Sequence, residues 1–338
     1  MHNLTIDNDY IKTSYIKQLK RDSNTVGFIL LLFFIVMTGV SFIAVLLPTI
    51  TSMLSNNMST DPSSISFMND TTFIMLESGF VSIVSFFGVA LLYSLFSKMD
   101  LGKTYPTQKL GFKLTFLLST FGLSIAMIAN YVSNMTIGVF DLFGIDANVD
   151  IDYKCDNLLE VILFYASVAL LPALVEEFAF RGVILSIMRK HSDSLAVIVS
   201  GVMFGLMHGN FTQIPFALVV GLILAYITVK TNTLIPAMVI HFLNNSLAVT
   251  LTLMSSNENI SETIVNYVNV ILMILIAILG IISFSILSIK HKGFFKLYGA
   301  NKPVTFKQKV LTFCKSPTVI IFTIISFIEA IMMLNLEV

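Results

Sequence analysis

Two adjacent glutamates and an arginine interrupt a long apolar stretch of the chain. Glu176 and Glu177 follow Pro172 by four and five residues, and Arg181 comes four residues after the second glutamate. An ionised carboxylate that lacks a partner is energetically costly in hydrocarbon, so charged residues at such positions indicate a function. A desolvated carboxylate is also a good proton acceptor, which suits it to act as a general base on water.

Three further polar residues occur in two other apolar segments. His208 lies in one of them, and His241 and Asn245 lie one helical turn apart in the other. On a helix, Glu177 and Arg181 share a face, whereas Glu176 points about 100° away, so one carboxylate can be paired while the other stays free. Counted from the predicted cytoplasmic ends, these groups lie roughly 10 to 21 Å deep at about 1.5 Å per residue. We therefore expect one buried polar site.

The elements that position these residues are membrane helices, as the composition indicates. The 338 residues are 56% hydrophobic and only 12% charged, with a mean hydropathy of +0.87. A soluble domain carries about twice that charge. The predicted fold is therefore an all-α polytopic membrane protein, a bundle of about eight to nine transmembrane helices around a buried polar cavity. The first apolar run is interpreted as a retained helix and not as a signal peptide.

The hydrophobic runs divide the chain into nine candidate spans, of which the third and fourth are long enough to tilt or to project from the bilayer. The candidate spans are 27–50, 78–97, 112–140, 158–188, 194–208, 214–229, 234–255, 265–289 and 317–336. Four regions follow from them: a polar cytoplasmic segment 1–26, N-terminal membrane helices 27–140, a core 158–250 that carries the polar residues named above, and C-terminal helices with a basic cytoplasmic loop at 265–338.

The loop charges predict a topology with the N-terminus in the cytoplasm of a multi-pass cell-membrane protein. Basic residues collect before the first span and in every second loop, and acidic residues collect in the others, as the positive-inside rule requires. The predicted inner residues include Lys20, Arg21, Lys103, Arg189, Lys190, Lys230 and Lys302, and the predicted outer residues include Asp61, Asp146, Asp156 and Glu258. Cys155 and Cys314 fall on opposite sides and so cannot pair with each other.

The net charge of zero excludes one class of partner. The basic residues are scattered over cytoplasmic loops without interleaved aromatics, so no nucleic-acid partner is expected. The partner that the composition itself implies is the lipid bilayer. Pro172 adds a local expectation, because a proline inside a helix removes a donor and opens the helix just before the glutamates. Freed carbonyls are tolerated at that depth only beside protein or water, which predicts a cavity wall.

Three short segments together resemble the ordered motifs of a known family. They are Glu176-Glu177-Phe178-Ala179-Phe180-Arg181, Phe204-Gly205-Leu206-Met207-His208 and His241-Phe242-Leu243-Asn244-Asn245. These segments are similar to the motifs of the CPBP (Abi) intramembrane proteases, which include CAAX prenyl proteases and bacteriocin-processing or self-immunity proteins. The resemblance covers roughly residues 158 to 250 and implies a helical bundle that encloses a water-filled active-site cavity.

The resemblance also implies a role for each residue in hydrolysing a peptide bond. Glu176 would be the general base on water, assisted by His208, and His241 with Asn245 would bind the oxyanion. In a supporting role, Glu177 and Arg181 would form a pair that orients the first motif helix, and Phe204 would shape the cavity wall. The implied function is an intramembrane endopeptidase that acts on a membrane-associated or exported peptide with a Glu-activated water, and the implied partner is a peptide or protein substrate.

Other interpretations remain open at this point. The Glu177 and Arg181 pair is favoured as structural even within an enzyme, and Phe204 as packing. Either histidine, or Asn245, could simply bridge helices by hydrogen bonds. The chain could instead be a bacteriocin self-immunity or regulatory protein that acts by binding, or a proton-coupled transporter, although no repeated halves are found. Glu329, within the last span, is assigned no catalytic part.

Metal dependence is the remaining alternative. If zinc is present, Glu176, His208 and His241 could supply three ligands with water in the fourth place, as in a metalloprotease. No His-Glu-x-x-His helix occurs and asparagine is a poor zinc ligand, so a glutamate mechanism without a firm cofactor is preferred. The sequence identifies neither the substrate nor the host, although the richness in Lys, Asn and Ile would suit a low-GC bacterium. The expected substrate class is leader peptides, bacteriocins or signalling peptides.

Overall fold

The computed structural model describes residues 2–54, 70–146, 154–297 and 303–336. Eleven helices account for nearly all of this part of the chain. They are α1 (His2–Leu54), α2 (Thr71–Phe96), α3 (Leu101–Thr104), α4 (Phe112–Asp141), α5 (Leu158–Arg189), α6 (Asp193–Leu206), α7 (Gln213–Thr231), α8 (Ile235–Ser255), α9 (Glu262–Lys290), α10 (Phe306–Cys314) and α11 (Pro317–Met332). Two-residue strands β1 (Ile145–Asp146) and β2 (Asn335–Leu336) form one antiparallel pair. The predicted all-α polytopic class is thus confirmed.

Short polar residues begin several of these helices in the expected way. Asn157 caps α5 by accepting from the Glu160 backbone N–H at 3.0 Å, and Ser192 caps α6 by accepting from Leu195 at 3.2 Å. Thr305 begins α10 with a capping box. Such caps satisfy backbone donors that a helix cannot satisfy itself. The apolar runs therefore become helices whose starts are set by the polar residue before each run.

Within the described ranges, seven helices are long and apolar enough to cross a membrane, or eight if α10 and α11, which meet at a 66° bend, count as one span. The nine runs predicted from sequence are all helical, but two of them are short. Helix α6 has 14 residues, which extend about 21 Å, less than the hydrocarbon thickness of about 30 Å. Helix α11 has 16 residues. The predicted segment 1–26 is continuous with the first span in α1.

The loop after α6 therefore lies at membrane depth and must satisfy its own polar groups. Asn210 Oδ1 accepts from both the backbone N–H and the hydroxyl of Thr212, at 2.8 and 2.7 Å. Gly209 adopts a left-handed conformation with φ of 55°, and the Glu329 carboxyl fills the space that a Cβ would need. Irregular backbone is tolerated at such depth because protein surrounds it.

Two apolar clusters pack on opposite sides of α7. One joins α1, α2, α5, α6 and the α10–α11 pair, and the other joins α4, α7, α8 and the end of α9. Helices α6 and α7 approach most closely through glycines, because a Cβ on Gly201 or Gly205 would overlap Leu222 or Leu218. Small residues permit such close approach between membrane helices. The C-terminal end of α6 lies against α5 and α8, where the ring of Phe204 is 5.1 Å from that of Phe180 and 5.9 Å from that of His241.

Contacts between loops agree with the predicted grouping into two sides. Lys154 meets Glu258 at 2.9 Å, both in loops predicted to lie outside, and β1, also in such a loop, pairs with β2 at the end of the last predicted span. On the other side, Arg189 bonds Asn232 at 2.9 Å. Which of these sides is cytoplasmic stays a prediction. Cys155 and Cys314 are both free.

Candidate active site

The two glutamates of α5 have different surroundings. Glu177 is 0% exposed and its Oε1 lies 3.0 Å from Arg181 Nη1, a close ion pair without hydrogen-bond geometry. Glu176 is 15% exposed and lines a cavity. The i, i+4 spacing of a helix thus gives one neutralised carboxylate and one that faces open space. Although the two glutamates are adjacent in sequence, their different surroundings allow the two carboxylates different chemical roles.

Arg181 is held on several sides inside the protein. Its Nη2 donates to the Gly221 carbonyl on α7 at 3.2 Å, and its guanidinium lies 4.3 Å from the ring centre of Phe204. A guanidinium over an aromatic face gains electrostatic stabilisation, most when water is excluded. Gly221 also contacts Gly201 closely, so the glycine crossing of α6 and α7 places this carbonyl beside α5.

His241 connects the two glutamates. Its Nδ1 lies 3.0 Å from Glu177 Oε1, and its Nε2 lies 4.0 Å from Glu176 Oε2. A carboxylate only accepts, so Nδ1 carries the proton of the shorter contact. Glu177 therefore fixes both the ring orientation and the tautomer of His241, and it leaves Nε2 as the atom that faces Glu176.

His208 also has a defined orientation. Its Nδ1 is 2.9 Å from the Phe204 carbonyl oxygen, which can only accept a hydrogen bond, so Nδ1 carries the hydrogen and donates it. In neutral His208 the Nε2 atom consequently carries a lone pair. The Phe204 ring lies 5.0 Å from the ring of His208 and 5.9 Å from that of His241, edge-on to both. Phe204 therefore packs between the two histidines and the arginine.

Asn245 binds a carbonyl that α5 leaves open. Tyr165–Leu170 forms a π-helical segment, and Pro172 lacks the N–H that would bond the carbonyl four residues before it, that of Val168. Asn245 Nδ2 donates to this carbonyl at 3.0 Å, while its Oδ1 accepts from Asn244 at 3.2 Å. The helix opening expected at Pro172 is thus present, and it anchors α8 to α5.

These side chains surround a cavity of about 220 Å³. Its wall includes Glu176, Phe204, His208, His241, Asn244 and Asn245, together with Ser78, Ser82, Ser167 and Pro172. The predicted cavity wall near Pro172 is therefore found. A carboxylate, two imidazoles and two carboxamides around one small volume can activate a water, stabilise an oxyanion and transfer a proton.

The structure brings together all seven residues selected from the sequence. It adds three features that were not predicted: the contact between Glu177 and His241, the carbonyl of Gly221 as a partner of Arg181, and Ser78 with Ser82 in the cavity wall. The two serines lie four residues apart in an apolar span, and this spacing was an available signal. The Gly221 carbonyl is a backbone group, so no residue type in the sequence marks it as the partner of Arg181.

Tyr105 is a further residue that sequence reasoning missed. Its ring stacks on Phe178 with centroids 3.7 Å apart and planes within 6°, and its hydroxyl bonds Ser94 Oγ at 2.6 Å. Burial raises the pKa of the Tyr105 hydroxyl to about 12, so it remains a neutral donor at physiological pH. It supports the second π-helical segment of α5, Phe178–Ile184, directly after the glutamates.

The described residues provide no evident metal-binding cluster. Among the residues that the structure describes, no three His, Cys, Asp or Glu side chains are grouped so that they could hold a metal ion. Glu176, His208 and His241, the ligands named for a zinc site, line one cavity but do not form such a group. No step of the chemistry below is routed through a metal.

Comparison with known proteins gives one match. Residues 158–247 match the model of the Rce1-like family, described as type II CAAX prenyl endopeptidase Rce1-like. No curated protein and no solved structure matches the chain. The match covers α5 to α8 and all of the motif residues, and it confirms the resemblance to the CPBP and CAAX proteases. It supports peptidase activity of the CAAX protease type within a multi-pass membrane protein.

Proposed function

We propose that the chain is an intramembrane endopeptidase that hydrolyses a membrane-associated or exported peptide with a water activated by Glu176. The observation that carries the proposal is the contrast between the two glutamates. Glu177 is neutralised by Arg181 at 3.0 Å, whereas Glu176 faces the cavity. A base must be free to accept a proton at the reacting atoms, so Glu176 is the candidate.

In the proposed reaction, a water lies between the Glu176 carboxylate and His208 Nε2. Glu176 accepts a proton from this water as the oxygen attacks the carbonyl carbon of the peptide bond, and the carbonyl electrons move to its oxygen. The carbon–nitrogen bond then breaks, and the proton held by Glu176 passes to the leaving nitrogen. The products are a carboxylic acid and an amine, and Glu176 is regenerated.

His241 and Asn245 are proposed to stabilise the oxyanion. With Nδ1–H donating to Glu177, a proton on Nε2 makes an imidazolium, and Nε2–H then donates to the developing negative charge. Asn245 uses one N–H on the Val168 carbonyl and has a second for the oxyanion. Since both donors are held by other contacts, they need little reorganisation. One such donor typically contributes about 3 to 4 kcal/mol to transition-state stabilisation.

Glu177 and Arg181 are proposed as positioning residues. Arg181 bonds the Gly221 carbonyl and stacks on Phe204, and Glu177 joins Arg181 to His241. A displacement of this pair would therefore move an oxyanion donor without touching substrate. Phe204 excludes water from the far side of both imidazoles by its edge contacts.

The test uses Glu176→Gln, which keeps shape and hydrogen bonding but removes the base. Purified protein in liposomes is given synthetic peptides, both unmodified apolar peptides and farnesylated peptides ending in a CAAX sequence, and products are identified by mass spectrometry. We expect wild-type cleavage and a loss of roughly a hundredfold or more in kcat for the variant, the usual scale for general-base catalysis.

The matched control is Glu262→Gln, the same change in the exposed first turn of α9. It should cleave at the wild-type rate. Activity retained in Glu176→Gln at equal expression would remove Glu176 as the base. Wild-type protein that binds these peptides and cleaves none of them would instead favour a role in immunity or regulation by binding.

A further inference from the structure

A second and larger cavity adjoins the candidate active site. It has a volume of about 520 Å³ and lies among α4, α7, α8 and α9. Five residues line both spaces: Val168, His208, Phe216, Asn244 and Asn245. The larger space is therefore continuous with the wall of the smaller one. A volume of this size is within the usual range for a ligand-binding cleft.

The lining of this space, which we name the amide groove, has a distinctive chemistry. It carries six carboxamides, namely Asn130, Asn134, Gln213, Asn244, Asn245 and Asn269. No Asp, Glu, Lys or Arg is among the described residues that line it, and the remaining surface is mostly Met, Leu, Phe and Ala. Its outer part is formed by helices that span the membrane, α4 and α9.

Polar side chains on membrane helices usually bond a neighbouring helix. The side chains of Asn130, Asn134, Gln213 and Asn269 make no hydrogen bond to any residue that the structure describes; those of Gln213 and Asn269 are half-buried, and those of Asn130 and Asn134 are exposed at the groove. Within a hydrocarbon layer such groups are costly unless water or a ligand satisfies them. Four of them on one groove indicate an occupant that offers both donors and acceptors.

We propose that the amide groove binds an uncharged, extended segment of the substrate peptide and leads its scissile bond to Glu176. An extended backbone presents a donor and an acceptor at each residue, and each carboxamide supplies both in return. The apolar side chains between the carboxamides suit apolar substrate side chains. A charged segment would find no counter-charge there. This inference rests on the proposed peptidase function and names the substrate class of that site.

The first test measures specificity with variants that keep the catalytic cavity intact. Asn269→Leu and Asn134→Leu each remove one carboxamide of the groove. For an unmodified apolar peptide, each should raise KM by roughly three- to tenfold, the scale of one lost hydrogen bond, with kcat unchanged. The control is Asn266→Leu, the same change one turn earlier on α9 at an exposed position outside the groove; it should leave KM unaltered.

The second test measures binding without turnover. A benzoyl-phenylalanine photocrosslinker replaces Ala248, which lines the groove, or Ile278, which is exposed on α9, in the Glu176→Gln background. The biotinylated apolar peptide should crosslink at position 248 and not at 278. The same peptide with Lys or Glu beside the cleavage position should crosslink at least about tenfold less, because desolvating a charge without a partner is costly.

The outcomes separate the groove from the catalytic proposal. Cleavage by wild type with equal KM in Asn269→Leu, Asn134→Leu and Asn266→Leu overturns the groove and leaves the peptidase intact. Crosslinking at position 248 without any wild-type cleavage keeps the groove and removes the peptidase. A phospholipid adduct at position 248 that the peptide does not compete away would identify a lipid site and overturn the proposal.

Discussion

Helices α5 and α9 are similar in length and apolar character, yet their backbones differ. Helix α5 runs for 32 residues and α9 for 29. Helix α5 contains two π-helical segments, Tyr165–Leu170 and Phe178–Ile184, whereas α9 is regular from Glu262 to Lys290. The surfaces differ as well, because α9 presents a row of exposed isoleucines and α5 buries a charged pair.

The comparison shows where chemistry requires an irregular helix. The first π segment of α5 frees the Val168 carbonyl for Asn245, and the second begins directly after Glu177 and contains Arg181. π-Helical turns frequently occur at functional sites for this reason. A regular helix such as α9 is sufficient to span hydrocarbon, since all of its backbone groups are satisfied internally. Helix α5 is less regular than α9, and its irregular segments hold polar groups.

The largest expected effect is that of Glu177→Gln in α5. The change leaves Arg181 buried without a counter-charge and replaces the charged acceptor of His241 Nδ1 with a neutral amide oxygen. We expect a loss of about 3 to 5 kcal/mol in the free energy of unfolding, measured by SDS titration in mixed micelles, together with reduced cleavage. Glu262→Gln in α9 should change neither. Equal stability of the two variants would contradict the assigned ion pair.

A smaller loss is expected for Gly182→Ala, in the second π segment of α5. A Cβ there would overlap the ring of Tyr105, which stacking on Phe178 holds in place. Overpacking of this kind costs about 1 to 3 kcal/mol in the free energy of unfolding. The control is Gly138→Ala in α4, where no atom lies within 4 Å of the new Cβ. If Gly182→Ala is as stable as Gly138→Ala, the Tyr105 ring can move to make room for the new Cβ, and the expected loss is contradicted.

Pro172→Ala tests whether the first π segment serves the site. The new N–H can bond the Val168 carbonyl, which then competes with Asn245 for that acceptor. We expect kcat to fall roughly three- to tenfold, as for one displaced hydrogen bond, while stability is maintained. Pro236→Ala, in the first turn of α8, replaces a proline where the helix needs no donor and should leave kcat unaltered. If kcat is unchanged in both variants, the first π segment of α5 does not contribute to catalysis.

Chelation should have no effect under the glutamate mechanism. Purified protein should contain no stoichiometric metal, and a strong chelator should leave cleavage at its original rate. The measurement is metal content together with activity before and after chelation. One zinc per chain that is lost along with activity, and restored with it, would reassign His208 and His241 to metal binding.

Cysteine labelling tests the sidedness and should leave activity unchanged. In a background with Cys155→Ala and Cys314→Ala, single cysteines near Asn56 or Asp146 should react with an impermeant reagent added outside cells. Cysteines near Lys103 or Lys302 should not react, because the basic loops are predicted to be cytoplasmic. Residues 56 and 302 lie outside the described ranges, so these two arms depend on the sequence alone. External labelling near Lys103 would invert the orientation.

Much of the fold follows from the sequence because apolar runs and polar caps are local signals. The runs 112–140 and 158–188 correspond closely to α4 (Phe112–Asp141) and α5 (Leu158–Arg189). The run 194–208 is a helix that ends at Leu206, and the run was already shorter than the roughly 20 residues that cross a hydrocarbon layer. The loop at Gly209 and Asn210 is buried in apolar surroundings, as the end of a buried helix is. Hydrophobic periodicity therefore does not show where the helix ends and the loop begins.

The residues of the site were predictable from the cost of polar groups in hydrocarbon, but their partners were not. Spacing predicted the Glu177 and Arg181 pair, since i, i+4 is a local relation. The contact between Glu177 and His241 joins positions 64 apart and depends on how α5 and α8 pack. The Gly221 carbonyl depends on a close helix crossing. The roles of these residues in cleavage stay predictions until the variants are measured.

The shortness of α6 has a consequence for how the protein is made. A segment of 14 residues cannot bridge the bilayer by itself, so it is poorly suited to leave the insertion machinery alone. Its glycines fit closely against α7, and the two helices are therefore suited to enter the lipid as one hairpin after α7 has been synthesised. His208 would then reach its final depth only when the second half of the hairpin is present. A nascent chain interrupted before that point would carry its glutamates without a working protease.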